Sequence, residues 1–294
     1  MMDIHLAHVT GIHSPKTPYT RTALEGISLS IPSGQFVAVM GANGSGKTAL
    51  VQLICGLLHA ASGHVQVGPY DMNKKSNRRR AWRVLGYLPQ YPEHQVTEDT
   101  VFNHIAAGLE HLGLTDEDVK ERVHQYLEDA GLCSERYKNA SPFQVSGGEL
   151  RRAALAGVLA AEPNILILDE PTAGLDSLER LNILTCIKQI HLKQRMTVCY
   201  ITHRLEEALE YSDRILVVEH GRLYADLHPS EIRSHWLELE QIGFVKTPLL
   251  RFLDLFEKRF AGHRTRSIYK EDQLVSYIRE MGVGGSQDEC NGLD

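Results

Sequence analysis

Residues 41–48 read Gly41-Ala42-Asn43-Gly44-Ser45-Gly46-Lys47-Thr48, the spacing GxxxxGK[ST]. Glycines at this spacing let backbone N–H groups curl around phosphate oxygens at a helix N-terminus, where the helix dipole also favours an anion. Lys47 would reach the β- and γ-phosphates of a nucleotide, and the Thr48 hydroxyl is placed to ligate Mg²⁺. Such a loop needs a carboxylate at the tip of another buried strand to hold the metal, and Asp169 follows Ile165-Leu166-Ile167-Leu168 in that position. Glu170 comes next, where it can orient and polarise an attacking water. Alone, an Asp-Glu pair at a strand end is ordinary punctuation; with the glycine loop present it reads as part of a phosphoryl-transfer site.

These residues need elements in a particular order. Ile4-His5-Leu6 and Ile27-Ser28-Leu29-Ser30-Ile31 alternate with period two, and Pro32-Ser33-Gly34 is a turn before the apolar run Phe36-Val37-Ala38-Val39-Met40. The expectation is an antiparallel edge followed by a buried strand. Beyond the glycines, Leu50, Leu53, Ile54, Leu57 and Leu58 recur at helical spacing, so strand, loop and helix stand in phosphate-binding order. Ile165 to Leu168, Thr197-Val198-Cys199-Tyr200-Ile201 and Arg214-Ile215-Leu216-Val217-Val218 are apolar runs separated by helical stretches, as in a parallel sheet. From about 97 to 140 the pattern is helical: Thr115 is the N-cap, Val119, Val123, Leu127 and Ala130 share a face, and Gly131 is the stop. This predicts a helical subdomain, about 91–160, inserted into an α/β core.

Val145-Ser146-Gly147-Gly148-Glu149 opens a further helix. It resembles the LSGGQ signature of ABC ATPases, and the flanking motifs fall in that family's order: Gln90 in the Q-loop, Asp169 and Glu170 in Walker B, Ala173-Gly174-Leu175-Asp176 as the D-loop and His203 as the switch histidine. The resemblance implies a P-loop NTPase core of ABC ATPase type, α/β in class, with an antiparallel β edge, an inserted α-helical subdomain and a small C-terminal helical appendage. It also implies ATP and Mg²⁺ as cofactors: Glu170, His203 and Gln90 catalytic, Thr48, Gln90 and Asp169 around the metal, and Asp176 in the D-loop. Ser146, Gly147, Gly148 and Glu149 would act on the site of a partner subunit, so that a dimer is required. Val145 departs from the family's usual Leu and Glu149 from its usual Gln; an acid pointing into the site would slow hydrolysis, and one pointing away would not.

Three stretches, residues 13–19, 90–95 and 142–152, resemble the second of the paired ATPases of energy-coupling factor importers, as does the helix start Ser267-Ile268-Tyr269-Lys270-Glu271-Asp272. That resemblance implies a second ABC ATPase subunit (a heterodimer in preference to a homodimer), a transmembrane coupling protein, and a small membrane protein that captures a vitamin or transition-metal ion. In that group an aromatic often stacks on adenine before the proline stretch; this chain offers His13, with Tyr19 six residues on.

The 294 residues carry a net charge of −6, which gives no global field for nucleic acid or anionic lipid. The exception is the run from Lys74 to Arg83, six cations in ten positions, read as a solvated helix with Trp82 on the core side. No nucleic-acid partner is expected. No run approaches the roughly 20 apolar residues of a spanning helix, and no secretory leader opens the chain, so the expected place is the cytoplasmic face of the cell membrane, reached through partners. Cys55, Cys133, Cys186, Cys199 and Cys290 contain no CxxC pair and read as reduced, buried thiols. The nucleotide-binding domain is expected to span 1–227, a dimerising appendage 228–282 and a flexible tail 283–294. Competing readings are a soluble ABC ATPase of DNA repair or translation, which usually carries a long coiled coil or a duplicated cassette absent here, and an exporter motor.

Overall fold

The chain opens with two long antiparallel strands, β1 (Ile4–His13) and β2 (Arg21–Ile31), paired from Ile4 opposite Ile31 to His13 opposite Arg21. Ile4, Leu6, Ile27, Leu29 and Ile31 point inward and the residues between them outward, the alternation of a sheet with one wet face. β3 (Phe36–Met40) is instead buried at all five positions. The glycine loop leads into α1 (Lys47–Cys55), followed by β4 (Ala60–Val67) and β5 (Tyr70–Asp71), which complete a four-stranded antiparallel sheet in the order β2-β1-β4-β5. The computed structural model describes residues 2–14, 17–96, 98–260, 265 and 267–284.

Helix α2 (Lys75–Ala81) leads to β6 (Leu85–Leu88). A helical block follows: α3 (Val101–Ala107), α4 (Asp116–Asp129), α5 (Ser134–Tyr137) and α6 (Gly147–Ala160). The chain then returns through β7 (Ile165–Asp169), α7 (Ser177–Gln194), β8 (Thr197–Ile201), α8 (Leu205–Tyr211), β9 (Arg214–Glu219) and β10 (Arg222–Leu227). The main sheet has the order β10-β9-β3-β8-β7-β6, parallel except for β10 at its edge. Phe36, Ala38 and Met40 face one apolar core with the helical block, while Val37 and Val39 face a second core with α1 and the antiparallel sheet. Each central strand feeds two cores, so its sequence is a continuous apolar run.

In the helical block Thr115 caps α4 through a reciprocal capping box with Asp118, and Gly131, at φ 70°, turns the chain out of it. Val123, Tyr126 and Leu127 are buried against α6, whose Ala153, Ala154, Ala156 and Ala160 allow close approach.

Beyond β10 come α9 (Trp236–Gln241), α10 (Pro248–Arg259) and α11 (Glu271–Gly284). Ile232, Trp236, Leu239, Leu250, Leu253 and Ile268 join the same core as Phe36 and Ala208, so these helices are packed on the α/β unit. The Arg233 guanidinium binds the carboxylates of Asp254 and Glu257 at 3.1 Å each.

Three expectations are corrected. Helix α11 runs through Gly284, so residues 283 and 284 belong to it and not to a tail; residues 285–294, Cys290 among them, lie outside the described residues. Trp82 is 36% exposed, because α2 ends at Ala81 and it is Ala81 that turns into the core. Cys133 is exposed at the N-terminus of α5, whereas Cys55, Cys186 and Cys199 are buried free thiols. Among the described residues no helix is long and apolar enough to cross a membrane.

Candidate active site

The parallel register brings the sequence-predicted groups to one edge of the sheet. Val39 and Asp169 both stand opposite Ile201, so the glycine loop after β3, the Asp169 tip of β7 and the segment after β8 that carries His203 emerge side by side. This is the carboxyl edge of a parallel sheet, where open α/β folds bind ligands.

The loop can be built only with glycine at two places. Gly41 has φ 143°, and a Cβ there would lie 2.1 Å from the Val218 carbonyl oxygen. Gly46 has φ 115° and would place a Cβ 2.8 Å from the carbonyl oxygen of Ala23. The loop thereby lies against the β9–β10 turn, where Gly221 N donates to Ser45 O at 2.7 Å. Lys47 is buried and its ammonium donates to the carbonyls of Gly41 and Ala42, both at 2.9 Å. Burial pulls its pKa down, and the carboxylates of Glu170, Asp169 and Glu219 pull the other way. The buried Ser45 hydroxyl, within the glycine loop, has no hydrogen-bond partner among the described residues.

Across the cleft, Asp169 is buried and its pKa is raised by desolvation, against the opposing pull of the Thr48 hydroxyl, which donates to Oδ1 at 3.4 Å. Tyr87 from β6 also bonds to Asp169, and burial together with that carboxylate keeps its hydroxyl protonated. Glu170 has φ 49°, a left-handed conformation for a residue with a side chain. One oxygen of its carboxylate contacts His203 Nε2, and the other accepts from Gln90 Nε2 at 2.8 Å. A single carboxylate is thus gripped from two loops, on the floor of a cleft of about 700 Å³ that Asn43, Gly44, Gly46, Lys47 and Thr48 also line.

The other predicted residues lie elsewhere. Ser146 is the N-cap of α6, its hydroxyl accepting from Glu149 N at 3.2 Å. The Glu149 side chain turns back to take the Ser146 N–H at 2.8 Å and the Tyr137 hydroxyl, so it points at its own helix start. Asp176 caps α7, accepting from Glu179 N at 2.9 Å. Neither residues 145–149 nor Asp176 line the cleft. Of the two adenine candidates, His13 lines it and Tyr19, 84% exposed, does not.

Sequence reasoning missed Arg21, His220 and Gly221, which line the mouth of the cleft. Arg21 faces His13 in the β1–β2 register and was reachable once that hairpin was expected; His220-Gly221 is a turn, exposed at His220 and buried at Gly221, with no local signal of its role. It also missed Arg151, which from α6 pairs with Glu93 at 2.9 Å beside the Q-loop.

Residues 24–173 match the ABC transporter family. The chain belongs to the ABC transporter family of ATP-binding proteins. It is 38% identical over 262 residues, 88% of this chain and 91% of the other, to the energy-coupling factor transporter ATP-binding protein EcfA2 of Clostridium tetani. Two solved structures share the fold at 27% identity. One is cbiO1 from Clostridium perfringens, part of the ABC transporter complex cbiONQ, with TM-score 0.72 over 86% of this chain and 98% of the other. The second is the dimeric post-hydrolysis ATP-binding cassette MJ0796 bound to ADP and Pi, with TM-score 0.70 over 77% of this chain and 98% of the other. This ABC ATPase is therefore an energy-coupling factor type ATP-binding protein, and its ATPase activity is coupled to transport.

Proposed function

We propose that the chain is the ATP-hydrolysing motor subunit of a bacterial energy-coupling factor importer, paired with a second ATPase subunit and driving uptake of a vitamin or transition-metal ion through a membrane coupling protein and a small capture protein. The observation that carries this reading is the grip of Gln90 and His203 on Glu170 at the floor of a phosphate-shaped cleft.

The loop amides and the Lys47 ammonium neutralise the β- and γ-phosphates. Glu170 accepts a hydrogen bond from the attacking water, so that the water's oxygen is aimed at the γ-phosphorus; as that P–O bond forms, the bond to the β-phosphate oxygen breaks, the water's proton passes by way of Glu170 to the phosphate product and the charge left on ADP faces Lys47. His203 and Gln90 fix the carboxylate and help to hold the γ-phosphate. The Thr48 hydroxyl, the Asp169 carboxylate and the Gln90 amide oxygen are the hard oxygen donors that Mg²⁺ prefers, with the first two already 3.4 Å apart. When bound there, Mg²⁺ would offset phosphate charge. His13 is the residue for adenine stacking.

Ser146 and the Gly147 and Gly148 amides stand apart from this cleft, at the start of α6 where Ser146 and Gly147 are exposed and Gly148 is buried, and are assigned to the nucleotide of the partner. One chain then contributes half of each of two sites. The partners place it at the cytoplasmic face of the membrane.

The test is purification of the intact complex from membranes, identification of its small capture subunit, and ATP-driven uptake into proteoliposomes. Glu170→Gln is expected to bind ATP normally and to lower turnover by about a hundredfold or more, because the side chain keeps its shape and loses its basicity. Hydrolysis above half the normal rate would remove Glu170 from the mechanism. Recovery of the chain without any membrane protein would remove the importer.

A further inference from the structure

Glu207 lies on α8, four positions after His203, and is 8% exposed. A carboxylate so buried must be compensated, and both of its oxygens are. Oε2 accepts from the Thr202 hydroxyl at 2.9 Å, from the Thr172 hydroxyl at 3.2 Å and from the Tyr200 hydroxyl. Oε1 faces Arg180 Nε at 3.8 Å and Arg204 Nε at 3.7 Å.

The donors come from segments that flank the reacting groups. Thr172 follows Glu170 by two residues. Tyr200 and Thr202 bracket the end of β8, and Thr202 Oγ1 also accepts from Arg204 N at 3.0 Å, spanning His203. Arg180 donates to Leu175 O at 3.1 Å and to the Ser177 hydroxyl at 3.0 Å, the two neighbours of Asp176 in the chain. His203 itself sits in a three-residue link between β8 and α8 that belongs to neither. That link is held by one backbone bond to β3, Thr202 N to Val39 O at 3.2 Å, and by the hydroxyl and guanidinium contacts gathered at Glu207.

We propose that Glu207 is a positioning residue: it holds the His203 link against Glu170 and ties both to the segment around Asp176, so that the hydrolytic grip is set from beneath by one buried carboxylate. The proposal rests on the reading that Glu170 and His203 serve hydrolysis. A carboxylate suits the task because its two oxygens can accept, and every group facing them donates. The Tyr200 hydroxyl stays a donor, since burial and the adjacent carboxylate raise its pKa well above the usual value. A glutamine amide would turn an N–H toward a donor and break at least one link.

The experiment uses the full chain in its membrane complex, with Glu207→Gln and the near-isosteric Thr172→Val, which removes the hydroxyl that Thr172 shares between Glu207 and Tyr200 and leaves the carboxylate in place. For each variant kcat, KM for ATP and thermal unfolding are measured, in the wild-type and the His203→Ala backgrounds. The expected result is a kcat about tenfold lower with KM within about twofold, the size of one charged buried hydrogen bond. In the His203→Ala background the same substitutions should cost less than about twofold further, because what they position is already gone. Equal losses in both backgrounds, or a KM that rises as kcat falls, would overturn the proposal and leave Glu207 a packing residue. Should Glu207→Gln fail to fold, Thr172→Val carries the same comparison. An unchanged kcat in His203→Ala alone would instead remove His203 from catalysis, which is a failure of the site reading and is seen without touching Glu207.

Discussion

Arg151 and Glu93 form an ion pair at 2.9 Å across 58 positions of sequence, with the arginine side chain only 5% exposed. The same guanidinium donates to the carbonyls of Pro171, at 3.3 Å, and Ala173. One side chain thus joins the helix that begins at Ser146, the turn after Gln90 and the segment after Glu170. A displacement of the helical block would be felt through it at the segments that follow Gln90 and Glu170.

Removing this arginine should be expensive. Arg151→Met leaves two carbonyls and a carboxylate short of a partner, and a loss of about 3 kcal/mol is expected from a broken, largely buried pair. Glu93, more open to water, should cost about 1 kcal/mol on change to Gln. Denaturant midpoints of the purified chain measure both. Equal small effects would mean that the pair is solvated.

Ser146→Glu tests the division of the site between two subunits. Because Ser146 is at the exposed start of α6 and does not line the Lys47 cleft, the variant should bind ATP through its own loop normally. In the complex the added charge should oppose the γ-phosphate held by the partner and block closure. Lys47→Ala should do the converse. Occupancy of each subunit is followed by photo-crosslinking of labelled ATP, and loss of binding by the isolated Ser146→Glu chain would contradict the arrangement.

Glu149 should influence acid stability more than hydrolysis. Its pKa is held down to about 2, first by the Tyr137 hydroxyl and then by the Ser146 amide, against an ordinary 4.5. The folded-state value is depressed, so its contribution is complete above about pH 5 and is lost as pH falls through 4.5 toward 2. Glu149→Gln keeps a residue able to close the capping box. The stability gap between wild type and variant should therefore shrink between pH 5 and about 2, and a gap constant over that range would refute the assignment. ATP turnover of the complex should change by less than about twofold, since the carboxylate is turned onto its own helix.

The outward face of α10 is proposed as a pairing surface. Phe252 is 45% and Leu255 65% exposed there, while Leu250 and Leu253 on the opposite face are buried. Leu255→Glu combined with Phe252→Ser should weaken subunit pairing by about tenfold or more without unfolding the chain. Sedimentation of the complex reads the pairing. Unchanged association would assign this face to solvent or to regulation.

Phosphate chemistry was legible in the order of residues because a glycine loop is defined by local conformation: residues 41–48 and the strand and helix around them need nothing distant to be recognised. The apolar runs at Phe36 and Ile165 announced strands covered on both faces, and Thr115 and Gly131 marked the ends of α4 because capping involves near neighbours only. Gln90, Asp169, Glu170 and His203 were named from motif order.

Their meeting was not visible in that order, because it depends on strand register. The grip of Gln90 and His203 on Glu170 exists because β6, β7 and β8 lie side by side, with Leu88 opposite Leu168 and Asp169 opposite Ile201. Trp82 was misplaced for a related reason: helical spacing marks a face, and where α2 ends decides whether Ala81 or Trp82 turns inward. Glu149 could be seen as a departure from the signature, yet its direction was set by Tyr137, twelve residues away in another helix. Arg151, Glu93 and Glu207 carry no signal at all in one dimension. A charged residue in a helix is ordinarily solvated, and only the tertiary structure, by burying it among distant donors and acceptors, turns it into a tie between loops.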